Sequence, residues 1–357
     1  MSTTSTDQAA LSPGRAPGVL TEPEPMTVRS GWDTSVRCPV VPPDLQDCAP
    51  AGTPVNDDDP RMLYHASLGM VATPDVEHGL KVARRLLRVN RQSVQARVHV
   101  AVDGERGTGK TALTHLIGRA HQGRMEQLCG IDPNRIPVIC VNAPPSRDDA
   151  VNWSAQIAVF LGWDLYRRDI DGKAVLRTKD WTGPAVHVMR ASKTRLVLID
   201  GVDRLRDSDI QPTFDFFDFL AAEIGLTLFW CGTGAREILH EARGERSPAL
   251  PRPADTRHIP TPRNSVPTLW VSPLPYTEVW GRTLNGFDEK LRLHHHKKQG
   301  LLEHAALLYR VSEGRMEHLA PLISLAAQIS IEEGGEAITE DVLHEAAAFL
   351  DRIPYDT

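Results

Sequence analysis

The segment from Gly104 to Thr111, Gly-Glu-Arg-Gly-Thr-Gly-Lys-Thr, constrains the fold more than any other part of the sequence. It matches the pattern G-x-x-x-x-G-K-[ST], in which backbone N–H groups of a glycine-rich loop bind phosphate oxygens. An apolar stretch precedes it at residues 98–102, and residues 112–120 have the apolar spacing of a helix. Strand, loop and helix in this order predict a nucleotide-binding P-loop and not an ordinary glycine-rich turn.

The residue types of this loop predict the chemistry of its ligand. Lys110 is expected to reach the β- and γ-phosphates, and the Thr111 hydroxyl is expected to ligate Mg²⁺. We therefore expect ATP and Mg²⁺ as cofactors. The predicted nucleotide-binding residues are Gly104, Glu105, Arg106, Gly107, Thr108, Gly109, Lys110, Thr111 and Ala112.

A second apolar strand ends in an acidic residue. Residues 195–200, Arg-Leu-Val-Leu-Ile-Asp, would hold Asp200 next to the Mg²⁺ that Thr111 ligates. ATPases of this plan usually carry a glutamate after the aspartate, as the base for the attacking water, but Gly201 stands there instead. Asp203 is a nearby acid and is the candidate for that catalytic role. Slow hydrolysis is the expected consequence, and Gly201→Glu is expected to accelerate it.

Further strand patterns predict a doubly wound α/β fold. Residues 135–142, 225–231 and 268–271 are apolar strands separated by other segments, and the pattern beyond Pro275 is helical. Doubly wound sheets bind ligands at the carboxyl ends of their strands, where Thr233 is a candidate contact for the γ-phosphate. The predicted fold class is a P-loop α/β core, a parallel sheet flanked by helices, with a small all-helical C-terminal lid.

Residues 1–60 differ in composition from the rest of the chain. They hold 10 of the 27 prolines, carry nine acids against three bases, and lack helical or strand periodicity. Such a segment cannot offset its ordering entropy by burial, so we predict a disordered, Pro-rich acidic tail. Trp32 is an alternative docking point for a partner protein. The predicted domains are this tail at 1–60, the nucleotide-binding core at 61–274 and the lid at 275–357.

The formal net charge of −6 lies entirely in this predicted tail, because the remainder has 37 acids and 37 bases. A neutral body still allows a local basic stripe that contacts phosphate backbones. Residues 77–90 have the periodicity of an amphipathic helix. Its basic cluster is formed by Lys81, Arg84, Arg85, Arg88 and Arg91. A solvated helix face explains this cluster as well as contact with double-stranded DNA does.

Composition also bears on the compartment. No apolar run of about 18 residues is long enough to span a membrane. The N-terminus has neither the basic region nor the apolar region of a secretory signal. The five cysteines are odd in number and lack C-x-x-C spacing, which predicts free thiols in a reducing cytoplasm. A cytoplasmic protein without a membrane partner is therefore expected.

The motifs in their order resemble the AAA+ ATPases of the TniB/TnsC type, which regulate Tn7-like transposition. The resemblance covers about residues 65–350 and includes the helical lid; it is carried by Gly-Glu-Arg-Gly-Thr-Gly-Lys-Thr, Pro-Val-Ile-Cys-Val-Asn-Ala-Pro-Pro, Leu-Val-Leu-Ile-Asp and Leu-Phe-Trp-Cys-Gly-Thr-Gly-Ala. It implies an ATP-binding protein that assembles on target double-stranded DNA as a homo-oligomeric ring or helical filament. It also implies two protein partners, a transposase and a target-selection protein of the TniQ type.

The resemblance assigns roles to single residues as well. Asp200 would hold Mg²⁺, and Thr233 would sense the γ-phosphate. Lids of AAA+ proteins commonly carry an arginine three residues after a glycine; after Gly314 that position is Glu317, and Arg315 stands two residues earlier. An arginine finger that acts on the neighbouring subunit is expected in the loop before the last strand, with three candidates: Arg252, Arg257 and Arg263.

Two other functions stay open at this point. A signalling or scaffold P-loop ATPase would oligomerise on ATP without binding DNA. A replication-initiation ATPase, such as a helicase loader, would need an added DNA-reading module, and no helix-turn-helix pattern is visible after the lid. A neighbouring transposase gene would favour the transposition regulator over both.

Overall fold

A computed structural model describes residues 23–93, 98–145, 151–168, 173–178, 180–244 and 266–352. The strands in these ranges are β1 Val100–Gly104, β2 Val138–Asn142, β3 Tyr166–Arg168, β4 Ala174–Leu176, β5 Leu196–Asp200, β6 Thr227–Cys231 and β7 Thr268–Val271. β3 and β4 form an antiparallel hairpin.

Helices flank the sheet and build the C-terminal end of the chain. On the N-terminal side they are α1 Arg29–Arg37, α2 Pro60–Ala66, α3 Pro74–Gln92, α4 Lys110–Cys129, α5 Trp153–Phe160, α6 Thr182–Ala191, α7 Asp207–Leu220 and α8 Ala235–Gly244. After β7 they are α9 Glu278–Asp288, α10 Gly300–Glu303, α11 Ala305–Ser312, α12 Met316–Glu332 and α13 Glu340–Arg352. None of the described helices is long and apolar enough to cross a membrane.

Among the described strands, five form one sheet in the order β2-β5-β6-β1-β7, and every neighbouring pair is parallel. All residues of β5 and β6 are buried, as expected for central strands covered by helices on both faces. Because the strands run in one direction, β1, β5 and β6 end at the same edge of the sheet. The predicted fold class, a parallel sheet flanked by helices with a helical C-terminal region, is confirmed.

Local sequence signals explain where α3 begins. The Thr73 hydroxyl accepts a hydrogen bond from the backbone N–H of Val76 at 3.3 Å, and Pro74 occupies the first helical position. Asp75 and Glu77 place negative charge in the first turn, where the helix dipole is positive. The predicted amphipathic helix therefore forms, and it begins at Pro74.

Buried apolar side chains form two clusters in the described part of the chain. The first lies between the sheet and its helices and includes Val102, Leu198 and Phe229. The second lies among the helices after β7 and includes Leu284 and Ile323. The second cluster also takes in Met62 and Val71, so residues before α3 pack together with the C-terminal helices.

The predicted disorder of residues 1–60 is wrong for residues 23–60, which are described and folded. Trp32 of α1 is only 1% exposed, and its indole Nε1 donates to Gln122 Oε1 of α4 at 2.8 Å. Burial of this large side chain is one contribution that offsets the ordering entropy of α1. Trp32 is therefore occupied within its own chain and does not serve as a docking point. Residues 1–22 lie outside the described residues.

A buried ion network joins the same N-terminal segment to the C-terminal helices. Arg61 is fully buried; its Nη1 lies 2.7 Å from Glu336 Oε1 and its Nη2 lies 3.1 Å from Asp59 Oδ2. Removal of one partner from such a network would leave an uncompensated buried charge. The segment thus contacts the sheet domain through α1 and the helical end through Arg61.

Trp32→Ala is expected to lower the free energy of unfolding by about 3–5 kcal/mol, because it removes a buried aromatic side chain and the partner of Gln122. Chemical denaturation of the purified protein measures this change. Trp270→Ala is the control: Trp270 is 50% exposed, so its loss should lower the free energy of unfolding clearly less than the loss of Trp32 does. Equal effects of the two substitutions would contradict the packing of α1 on α4.

Candidate nucleotide-binding site

The loop between β1 and α4 encloses the side-chain ammonium group of Lys110 at the N-terminus of α4. The side chain of Lys110, the first residue of α4, is buried, and its Nζ donates to the carbonyl oxygens of Gly104 at 3.0 Å and Glu105 at 2.6 Å. Thr108 is buried as well, and its hydroxyl donates to the same Glu105 carbonyl at 2.9 Å. The first amides of α4 have no partner within the helix, so this loop fits a phosphate group.

Thr111 and Asp200 meet at the end of β5. The Thr111 hydroxyl donates to Asp200 Oδ2 at 2.9 Å, and the backbone N–H of Gly201 donates to Asp200 Oδ1 at 3.0 Å. A hydroxyl and a carboxylate side by side are oxygen donors of the kind that Mg²⁺ prefers. The geometry thus brings together the two side chains that the sequence analysis predicts as metal ligands, and their chemistry fits that ion.

Two cysteines and a histidine near Asp200 have pKa values shifted by burial. Burial, with a smaller effect of the Asp200 carboxylate, raises the pKa of Cys140 to about 12. The same two causes raise the pKa of Cys231 well above its ordinary value. Burial lowers the pKa of His115, one turn after Thr111, although Asp200 opposes this shift. Both thiols and the imidazole are therefore neutral at pH 7, and Asp200 supplies the charge at this point.

Gly201 adopts a backbone conformation that other residues avoid. Its φ is +72°, in the left-handed region. A Cβ at this position would lie 2.0 Å from Nη2 of Arg204, because that guanidinium covers the glycine. The expectation that Gly201→Glu accelerates hydrolysis conflicts with both facts. The substitution would strain the backbone and displace Arg204, so its glutamate would not occupy an ordinary base position.

Asp203 and Thr233 lie near the same edge of the sheet. Oδ1 of Asp203 would be 2.5 Å from a Cβ placed on Gly232, so this carboxylate faces the end of β6. Thr233 is exposed and follows β6 by two residues. Because β6 pairs with β1 on one side and β5 on the other, Thr233 emerges between the P-loop and Asp200. This position is compatible with the predicted contact to a γ-phosphate.

The helical end reaches the P-loop through the start of α12. The backbone N–H of Glu317 donates to the Gly107 carbonyl at 3.0 Å, and Nη2 of Arg315 lies 2.7 Å from Glu105 Oε2. Arg315 also donates to the carbonyl of Arg106. Gly107 has a φ of +80°, and a Cβ there would lie 2.2 Å from Glu317 Oε1. Arg315, two residues before the position expected for the lid arginine, therefore places its cation on the loop.

The basic cluster of α3 faces solvent. Its five members, none of which forms an ion pair with a described residue, are all exposed: Lys81, Arg84, Arg85, Arg88 and Arg91. Burial, followed by the charges of Arg124 and Arg91, lowers the pKa of His121 to about 4. Basic side chains of α3 and α4 thus approach each other around a neutral imidazole. The arginine-finger candidates fall outside the described residues: Arg252, Arg257 and Arg263.

Two polar groups at this site were missed in the sequence analysis. Asn142 ends β2 directly opposite Asp200, and its buried Oδ1 has no hydrogen-bond partner among the described residues. Arg204 lies over Gly201. Asn142 carries a readable signal, since it is a polar residue at the end of an apolar strand. The Arg204 guanidinium occupies the space that Gly201 leaves free because it has no Cβ, and no sequence pattern indicates this position.

No protein-family model matches the chain, and no curated protein sequence matches it. Solved structures do match. The ORC1 protein of Aeropyrum pernix, in complex with DNA, matches with a TM-score of 0.55 and 20% identity over 79% of this chain and 66% of that chain. The likeness concerns the fold, a parallel sheet flanked by helices with a helical C-terminal region. The chain spans just under two thirds of that ORC1 protein.

Two further AAA+ structures match with lower scores. Drosophila ORC bound to DNA has a TM-score of 0.47 and 15% identity, over 90% of this chain and 74% of that chain. RuvB of Thermotoga maritima has a TM-score of 0.41 and 14% identity, over 78% of this chain and 70% of that chain. At such identities the likeness concerns the fold alone.

Gly201→Ala is expected to lower the free energy of unfolding by about 1–2 kcal/mol, because alanine does not favour a positive φ and its Cβ would meet Arg204. Thermal or chemical denaturation measures the change. Gly183→Ala in α6 is the control, since a Cβ there meets nothing within 4 Å and alanine favours a helix over glycine. A Gly201→Ala protein as stable as the control would refute the strained conformation.

Proposed function

We propose that this chain is an ATP-dependent regulator of DNA transposition. In its ATP state it assembles on target double-stranded DNA and recruits or activates a transposase. The observation that supports this best is the connection between the basic cluster and the nucleotide loop. Leu113, in the first turn of α4 after the P-loop, packs so closely on Gly79 of α3 that a Cβ on that glycine would lie 2.9 Å from Leu113 Cδ1.

The nucleotide part of the proposal assigns roles to the loop and the sheet edge. Residues 104–112 hold the phosphates, with Lys110 neutralising their charge, and Thr111 and Asp200 hold Mg²⁺. Bound Mg-ATP supplies the phosphoanhydride bond for hydrolysis. Thr233 orients the γ-phosphate, and Asp203 is the carboxylate available to accept a proton from water. Without a glutamate beside Asp200, turnover is slow and the ATP state persists.

The DNA part of the proposal depends on α3. Five exposed cations without ion-pair partners in the described structure present their charge to solvent, where a phosphate backbone can neutralise them. The same helix contacts the nucleotide domain at a second point, because the backbone N–H of Ser272, just after β7, donates to Asp75 Oδ2 at 3.2 Å. These two contacts are the route by which we propose that a change in the P-loop or in β7 reaches the DNA-binding face.

Assembly and partners complete the proposal. Copies of the chain form a ring or helical filament in which an arginine of one subunit, Arg252, Arg257 or Arg263, reaches the nucleotide of the next. The assembled face recruits the transposase, together with a target-selection protein of the TniQ type. These partners follow from the sequence resemblance to TniB/TnsC-type ATPases.

A second candidate is a replication-initiation ATPase. It is favoured by one observation: the ORC1 structure that matches with a TM-score of 0.55 is a complex with DNA. The two candidates share ATP-dependent DNA binding and differ in what the complex recruits. A transposition assay with a transposase encoded beside this chain, compared with a helicase-loading assay, separates them if such a gene is found.

The central experiment is electron microscopy of the protein with duplex DNA and a non-hydrolysable ATP analogue. Rings or filaments on DNA that require the analogue would support the proposal. Oligomers that form with ATP but exclude DNA would support the signalling or scaffold alternative instead. Filter retention of labelled duplex at low salt, with and without nucleotide, gives the same answer in solution.

Lys110→Ala is expected to abolish ATP binding, because it removes the cation that the P-loop encloses. A ligand that binds only the folded state raises its stability; a concentration of 100 times Kd adds about 2.7 kcal/mol. The melting temperature of the wild-type protein should therefore rise with Mg-ATP, and that of the variant should not. Lys193→Ala, at an exposed position before β5, should retain the full shift.

Arg84→Glu combined with Arg88→Glu is expected to weaken duplex binding roughly 10- to 100-fold without regard to DNA sequence, because each side chain neutralises a phosphate. The slope of log K against log salt should become shallower by about 2. Fluorescence anisotropy over a salt series measures both quantities. Arg282→Glu with Arg310→Glu changes the net charge equally at exposed positions of α9 and α11, where neither arginine forms an ion pair with a described residue, and is the matched control. Equal losses in the two double variants would refute the role of α3.

A further inference from the structure

Asp103 is a buried carboxylate near the carboxyl end of β1, directly before the P-loop. Only 2% of the residue is exposed. Its Oδ1 accepts hydrogen bonds from the backbone N–H groups of Gly104 at 2.6 Å and Gly234 at 2.9 Å. Its Oδ2 accepts one from the backbone N–H of Arg236 at 2.9 Å. The predicted site residues do not include Asp103, although it contacts both loops of the site.

These three donors belong to two separate parts of the chain. Gly104 opens the P-loop, whereas Gly234 and Arg236 follow Thr233 at the start of α8. The two loops leave neighbouring parallel strands, β1 and β6. The Asp103 carboxylate therefore extends the contact between these strands beyond their backbone hydrogen bonds. It holds the P-loop at a fixed distance from the loop that carries Thr233.

A carboxylate suits this position for an electrostatic reason. The N–H groups of Gly234 and Arg236 lie at the N-terminus of α8, where the helix dipole is positive. Hydrogen bonds to an ionised acceptor are shorter and stronger than those to a neutral one. An asparagine would keep one acceptor oxygen but would turn an NH₂ group towards a backbone N–H. Replacement by asparagine thus changes the hydrogen bonds with little change in shape.

We propose that Asp103 is a positioning residue for nucleotide recognition, which holds the Thr233 loop against the P-loop so that Thr233 meets the γ-phosphate. This role rests on the proposed binding of ATP at the site. Asp103 acts through backbone N–H groups and does not contact the nucleotide itself. Its loss should weaken binding of a triphosphate more than binding of a diphosphate, because only the triphosphate reaches Thr233.

The test compares two affinities in each variant, one for a non-hydrolysable ATP analogue and one for ADP. Asp103→Asn is expected to reduce the preference for the ATP analogue about tenfold, the effect of one charge-assisted hydrogen bond. Asp209→Asn in α7 is the matched control: Asp209 is 6% exposed and pairs with Arg206 at 2.7 Å, so it is also a buried carboxylate. The control should keep the wild-type preference.

A double-mutant cycle separates positioning from a structural role. If Asp103 acts through Thr233, Thr233→Ala alone should reduce the preference as much as Thr233→Ala combined with Asp103→Asn. Additive losses would overturn the proposal, as would an equal loss of affinity for both nucleotides in Asp103→Asn. Asp103→Ser, with a smaller side chain and a single acceptor oxygen, serves if the asparagine variant does not fold, and the same results are expected of it.

Amide hydrogen exchange without nucleotide tests the contact independently of ATP binding. Asp103→Asn should speed exchange at residues 104–107 and at residues 233–236 together, because one carboxylate holds both loops. Faster exchange in only one of these segments would overturn the proposed link. A wild-type protein that binds neither nucleotide would refute the proposed function, and the exchange result would still decide whether Asp103 couples the loops.

Discussion

The parallel direction of five strands is the constraint on which the site depends. Since β1, β5 and β6 end at one edge, the P-loop, Asp200 and Thr233 emerge side by side although they are far apart in sequence. The hydrogen bond of 2.9 Å from Thr111 to Asp200 is a direct result, because it joins the first turn of α4 to the last residue of β5. Any slip of β5 against its neighbours would separate these two oxygens.

The sequence predicts most of this edge because its signals are local. A glycine loop between an apolar strand and a helix identifies Lys110 and Thr111, and an apolar run that ends in an acid identifies Asp200. Partner groups that come from distant segments are not readable in the same way. Asp103 binds amides more than 130 residues further along the chain, and Arg204 occupies space that only a glycine leaves open.

The N-terminal segment shows why the amino-acid composition of residues 1–60 wrongly predicts disorder for residues 23–60. Residues 1–60 are rich in prolines and acids, yet the buried Trp32 packs α1 on α4, together with the ion pair of Arg37 and Glu126. A single large aromatic side chain with a hydrogen-bond partner hardly alters the composition of 60 residues. The conformation of Gly201 is hidden for a related reason. A glycine can adopt a positive φ, but the sequence does not say that it must.

The two anchors of the N-terminal segment have a practical consequence for work on fragments. A fragment that starts at residue 61 would discard Asp59 and leave Arg61 with one carboxylate partner of two. It would also uncover the apolar surface beneath Trp32. That surface includes Gly118, where an added Cβ would collide with both the Trp32 indole and Leu198. A fragment trimmed to the P-loop domain would therefore expose an apolar groove on α4. The same truncation would weaken the ion network that joins the N-terminal segment to the C-terminal helices. The sensible starting point for such a fragment lies before α1.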